Sequence, residues 1–220
     1  MAGIKPTEWG RDDAGSSKTY GMALCLGVLA TGIPSAQAQP HRPMSLEADE
    51  LPLPEQPGVV PDPDEERLPA AYQRQLVFFR TAEPPGTIII STSERFLYLV
   101  QGNNRALRYG IGVGRDGFQW SGLLRISRKA EWPDWIPPPE MIDRQPYLPR
   151  FMAGGPGNPL GARALYLGNT VYRIHGTNQP QTIGHAVSSG CFRLVNGDVV
   201  DLYDRVPVGT KVIVRQNPEL

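Results

Sequence analysis

A mainly β domain, a sandwich or barrel-like core with one or two short helices, is the fold class this sequence predicts. Three observations carry it. The chain has 220 residues, enough for one ordinary domain with length to spare. It holds 24 glycines and 23 prolines, a turn-rich composition. From residue 86 onward, short β-branched and aromatic runs alternate with Gly, Asn and Asp turns.

The elements follow in order. Residues 87–92 (TIIIST) and 95–101 (RFLYLVQ) read as a hairpin across a short polar turn. Gly102-Asn103-Asn104 then turns the chain into a third strand at 106–113. A further strand is expected at 123–127, and the runs 164–167 and 170–174 flank Gly168-Asn169, a hairpin signal. Asn196 is placed to cap a helix, with Asp198 and Asp201 in its first turn, where negative charge suits the helix dipole. Val199, Val200, Leu202, Tyr203 and Val206 supply its apolar face. Pro207 and Gly209 stop that helix, and 211–215 (KVIVR) closes the domain as a last strand. A short helix is also expected near 70–79.

Outside this domain, residues 1–38 read as a signal peptide. Lys18 precedes an apolar stretch at 21–33, and Ala36-Gln37-Ala38 supplies a small-residue cleavage site. The apolar stretch is shorter than the ~20 residues a membrane helix needs. The mature chain is therefore expected in the periplasm without a transmembrane anchor. Residues 39–71 hold eight prolines and several acids, which reads as a flexible tether. The domain proper is expected over 72–216, with a tail at 217–220. Lys plus Arg and Asp plus Glu both total 22, so no basic excess favours a nucleic-acid partner.

Export changes the meaning of the cysteines. Cys25 would leave with the signal, and Cys191 would remain alone as an inert side chain, an intermolecular link or a reactive thiol. The residues around it are rich in chemistry: Arg173-Ile174-His175-Gly176-Thr177, then Ile183-Gly184-His185, then Ser188-Ser189-Gly190-Cys191-Phe192-Arg193. A thiol nucleophile needs a proton acceptor, a group that orients the acceptor, and donors for the developing oxyanion. An unassisted thiol, with a pKa of about 8.5, is only a small fraction thiolate at neutral pH. His175 falls at the end of an expected strand, and the small residues before Cys191 leave room for a substrate carbonyl. Two other readings use the same residues. His175, His185 and Cys191 as zinc ligands match no common spacing and lack a second cysteine; a histidine simply packed against strands is the other. Gly112 to Gly117 spells GxGxxG, but no helical pattern follows it, so it reads as a turn rather than a dinucleotide site. Gly154-Gly155-Pro156-Gly157 likewise lacks the ending of a phosphate loop.

These residues resemble the L,D-transpeptidase catalytic domain, the YkuD type. That family carries a His-Gly-Thr segment and, further on, Ser-His-Gly-Cys followed by an apolar residue and Arg. Here Ile174-His175-Gly176-Thr177 and Ser188-Ser189-Gly190-Cys191-Phe192-Arg193 stand in that order. The resemblance spans residues 87–215, including Trp132-Pro133-Asp134-Trp135-Ile136-Pro137-Pro138 and Pro156-Gly157-Asn158-Pro159-Leu160-Gly161. It implies Cys191 as nucleophile and His175 as general base, with the carbonyl of Gly176 orienting the imidazole. It also implies the amides of Gly190 and Cys191 as the oxyanion hole. Ser189 and Thr177 are expected at the substrate, Arg193 either meets a substrate carboxylate or holds the loop, and Trp120, Trp132 and Trp135 either cover the cleft, Trp135 at the substrate, or serve in hydrophobic packing. The substrate implied is a peptidoglycan stem peptide. The acceptor is a second stem peptide, or a secreted or outer-membrane protein; no metal or cofactor is implied. Two alternatives stand beside this reading: hydrolysis of the thioester by water, which trims wall peptides or releases wall-linked protein, and a noncatalytic wall-binding module, which the departure of Ser189 from the family's histidine motivates.

Overall fold

The computed structural model describes residues 56–216. The expected signal peptide, the first part of the tether and the tail at 217–220 lie outside the described residues. Strands run in the order β1 (Gln75–Phe78), β2 (Ile88–Ser91), β3 (Phe96–Gly102), β4 (Arg105–Gly110), β5 (Val113–Gly114) and β6 (Gly122–Glu131). A short helix α1 (Pro139–Arg144) follows, then β7 (Arg163–Leu167), β8 (Arg173–His175), β9 (Ala186–Ser188) and β10 (Phe192–Arg193). Helix α2 (Asn196–Arg205) and β11 (Lys211–Arg215) complete the described chain. The fold is mostly β, as the sequence predicts.

Nine strands form one sheet in the order β1-β4-β3-β2-β11-β6-β7-β8-β10, while β5 and β9 pair separately. Strand β6 explains how a single sheet encloses a core. Its residues 122–125 pair with β11 and its residues 126–131 pair with β7, with a register shift between Ile126 and Arg128. The far edge returns on the chain leaving β4, because Gly112 and Arg193 exchange both backbone hydrogen bonds at 2.9 Å. The sheet thus curls towards a barrel. Alternation sorts the side chains: Ile88 and Ile90 face the main core with Leu97, Leu165, Ile174 and Phe192, whereas Ile89 faces the outer cluster with Tyr98 and Val100. Each fully buried aliphatic side chain is worth about 1.5–3 kcal/mol relative to exposure.

Local detail departs from expectation where distant partners intervene. The helix expected near 70–79 is a single 3-10 turn at Ala70–Tyr72 followed by β1. Val77 and Phe79 alternate onto the outer cluster, a period of two rather than of a helix. The strand expected at 106–113 stops at Gly110, and Val113–Gly114 leaves to pair with β9. Strand β8 begins at Arg173 rather than at Thr170, because the Thr170 hydroxyl donates to the carbonyl of Leu167 at 2.6 Å and widens the turn. Asn196 does not cap α2: it is the helix's first residue, and Val195 at the N-cap makes no side-chain bond. Its side chain reaches sideways, accepting from the amide of Ala162 at 2.9 Å and donating to the carbonyl of Thr177 at 3.1 Å. Asp201 lies beyond the first turn and accepts from Tyr109 and Arg205, and Val206 is the C-cap. Residues 56–71, assigned to the tether from sequence, lie against the domain: Leu68 is buried with Ile183 and Val195, and the amide of Gly58 donates to the carbonyl of Gly157 at 2.9 Å.

Candidate active site

Parallel pairing of β8 and β10 builds the site. Its register sets Phe192 opposite Ile174 and Arg193 opposite His175. Partners in register share a face, and so do residues two apart along a strand. Phe192 and Ile174 therefore point into the core, while Cys191, Arg193 and His175 share the opposite side. There they line one narrow cavity of about 50 Å³, together with Ser188, Ser189, Arg173 and Trp135. Hydrophobic residues of the segment between β6 and β7, Met141 and Leu160 among them, also line it.

His175 is buried, and its Nδ1 is 2.5 Å from the carbonyl oxygen of Gly176. A carbonyl can only accept, so in the neutral ring Nδ1 carries the hydrogen and Nε2 the lone pair. Burial lowers the imidazole pKa from 6.5 to about 3; the Arg193 and Arg173 cations push the same way, and the Gly176 carbonyl opposes them. The ring is a neutral base at physiological pH. Gly176 must be small: a Cβ there would run into the side chain of Asn196 and reach 3.0 Å from the amide nitrogen of Ala162.

Cys191 is half-buried, with its Sγ 3.8 Å from the carbonyl of Val171. The turn before it is held at several points. The Ser188 hydroxyl donates to the carbonyl of Cys191 at 2.6 Å and accepts from the amide of Gly190 at 3.2 Å. Trp120 Nε1 donates to the carbonyl of Gly190 at 3.0 Å, and its ring stacks on Tyr172 at 4.5 Å. Gly190 takes φ +102°, and a Cβ there would stand 2.8 Å from the Tyr172 ring, so the position admits only glycine.

The other expected residues divide. Arg193 is buried, lines the cavity, and donates from Nη1 to Gln179 Oε1 at 3.3 Å. Ser189 and Trp135 also line it. Thr177 is not part of that wall: it is buried, its hydroxyl accepts from the amide of Gln179 and its carbonyl from Asn196. The Gly190 amide, expected in the oxyanion hole, points at the Ser188 hydroxyl instead. His185 is exposed and outside the cavity wall. Among the described residues, no three His, Cys, Asp or Glu side chains are grouped to hold a metal ion. Trp120 braces the cysteine turn, and Trp132 lines a separate groove beside Pro61 and Val200. Sequence reading placed Ser188 only as a small residue before Cys191, not as the hydroxyl that braces the turn, and it gave Asn178 and Gln179 no role.

The L,D-transpeptidase catalytic domain (YkuD) matches residues 85–214, more than half of the chain. The chain belongs to the L,D-transpeptidase family. It is 39% identical over 138 residues to a protein of Escherichia coli K12 named probable L,D-transpeptidase ErfK/SrfK, covering 60% of this chain and 44% of that one. A second relative from the same strain, probable L,D-transpeptidase YbiS, is 39% identical over 136 residues, 58% of this chain and 43% of its own. The chain thus spans less than half the length of these curated relatives. A crystal structure from Brucella melitensis, described as a probable carnitine operon oxidoreductase, is 50% identical, covering 70% of this chain and 99% of that one, with a TM-score of 0.46. An L,D-transpeptidase from Mycobacterium smegmatis is 17% identical over 59% of this chain and 58% of its own, with a TM-score of 0.47. Among the described residues, no helix of this L,D-transpeptidase family member is long and apolar enough to cross a membrane.

Proposed function

We propose that this protein is a peptidoglycan L,D-transpeptidase that uses Cys191 to carry an acyl group between a stem peptide and an amine. One observation carries the reading: the thiol of Cys191 opens into the same cavity as an imidazole kept neutral and aimed by the carbonyl of Gly176. In the reaction, sulfur attacks the carbonyl of the third residue of a donor stem. The thiol proton passes to Nε2 of His175, and that imidazolium then protonates the departing D-alanine amine. The thioester is opened by an acceptor amine, whose proton returns through His175, so the enzyme ends as it began.

The amide of Cys191 serves the tetrahedral oxyanion, joined by that of Gly190 once it exchanges the Ser188 hydroxyl for the stronger charged acceptor. Arg193 and Ser189, in the cavity wall, contact the donor. The acceptor is the side chain of another stem or a secreted protein, and the enzyme works in the periplasm after loss of residues 1–38. The decisive test is acylation by a carbapenem, read by mass spectrometry. Wild type gains one adduct and Cys191→Ala gains none. With disaccharide tetrapeptides, dimers mean transfer, tripeptides alone mean hydrolysis, and neither product with unchanged retention on sacculi means a binding module.

A further inference from the structure

We infer that residues 56–72 are a strap belonging to the catalytic unit, which clamps the loop behind His175 through Asn178. Asn178 is then a positioning residue. The strap precedes the segment matched to the catalytic domain, which begins at residue 85. Its contacts nevertheless converge on the loop from Gly176 to Gly184. Asn178 is buried, and its Nδ2 donates to the carbonyl of Gln56 at 2.7 Å, of Val59 at 3.1 Å and of Gly157 at 3.3 Å. One amide thus ties the strap to the catalytic loop and to the turn before Pro159 and Leu160, which line the cavity. Gly58 completes this junction: its amide donates to Gly157, and its φ of +90° suits glycine. A Cβ on Gly157 would come within 3.1 Å of Gly58, so the two backbones lie in direct contact.

The strap's other end is held by packing. Leu68 is buried against Ile183 and Val195, and Tyr72 sits so close over Gly184 that a Cβ there would meet its ring at 2.6 Å. The groups that aim the chemistry adjoin these anchors. Gly176, two residues before Asn178, accepts from His175 Nδ1, and Gln179, next to Asn178, accepts from Arg193. A loop of this kind, short of regular secondary structure, is normally mobile; here a segment far away in sequence immobilises it. The titratable and charged groups that share the cavity with His175 are Arg193, Arg173 and the thiol of Cys191.

The test uses the full chain and reads the pH profile of carbapenem acylation at Cys191, so it rests on the acyl-transfer reading above. Gly58→Pro with Leu68→Asp removes one strap contact at each end and touches no residue of the cavity wall. Hydrogen exchange reports release of 56–68. In wild type the imidazole stays neutral far into acid, so acylation persists well below pH 6.5. Once the strap is released, the loop opens, water reaches His175 and its pKa rises towards the ordinary 6.5. The acid limb then moves up by about three pH units, to near 6, and the rate at pH 5 falls about tenfold. Asn178→Leu, which removes the donor to the three carbonyls without adding a charge near the ring, reproduces the shift, and Leu68→Met behaves as wild type. A released strap with an unmoved acid limb overturns the proposal, as does a strap that stays protected in the double variant. Wild type that takes no carbapenem sinks the acyl-transfer reading and the strap's role together.

Discussion

His175 gathers three influences on one ring: burial, two arginines that oppose its protonation, and one carbonyl that favours it. Replacing it by glutamine keeps the volume and removes the base. His175→Gln should lower the rate of carbapenem acylation about 10²–10⁴-fold while the protein remains folded by circular dichroism. The same ring leaves a mark on stability. Its folded pKa of about 3 lies below the unfolded 6.5, so between these values the unfolded chain binds the extra proton. Stability is therefore undiminished above pH 6.5 and drains away as pH falls from 6.5 towards 3. His175→Gln should flatten the dependence of Tm on pH in that window, and an unchanged slope would show that the ring is not held neutral. Cys191 and His175 were legible in the sequence because each sits in a short motif whose chemistry is local. Asn178 was not, because its partner at Gln56 is 122 residues away and nothing near it in sequence announces the contact.

At the scale of elements, the hairpin of β2 and β3 and the turn at Asn103-Asn104 were readable, since both asparagines take positive φ (51° and 54°) as a tight hairpin turn requires. The pairing of β8 with β10 was not. A two-residue strand carries no periodicity, and parallel neighbours need no turn between them. Helix α2 was readable, but the role of Asn196 was misread because caps and lateral ties draw on the same residue types. The two roles separate by experiment. At a cap, Asp serves as well as Asn; here the side chain must accept from Ala162 and also donate to Thr177, and Asp cannot donate. Asn196→Asp should cost about 1–3 kcal/mol in urea denaturation, and wild-type stability in that variant would restore the cap. Ile174, fully buried beside His175, should lose about 2–5 kcal/mol on change to Ala, measured the same way.

For the molecule as a whole, the fold class followed from composition and turn spacing, but the order of strands did not, because it is set by contacts between distant segments. The central place of β11 shows this best. It lies between β2, to which it runs parallel, and β6, and Val212 is fully buried there. Val212→Asp places a charge in the main core and should abolish cooperative unfolding and carbapenem acylation together, although it stands outside the cavity wall; a folded, active Val212→Asp would mean the two half-sheets are independent. The arrangement also bears on delivery. Strands β1 to β4 find their missing neighbour only after residues 211–215 have been made. For a protein that travels as proposed, the emerging first half has no closing partner of its own, and the barrel can resist a translocation channel only once that keystone has arrived.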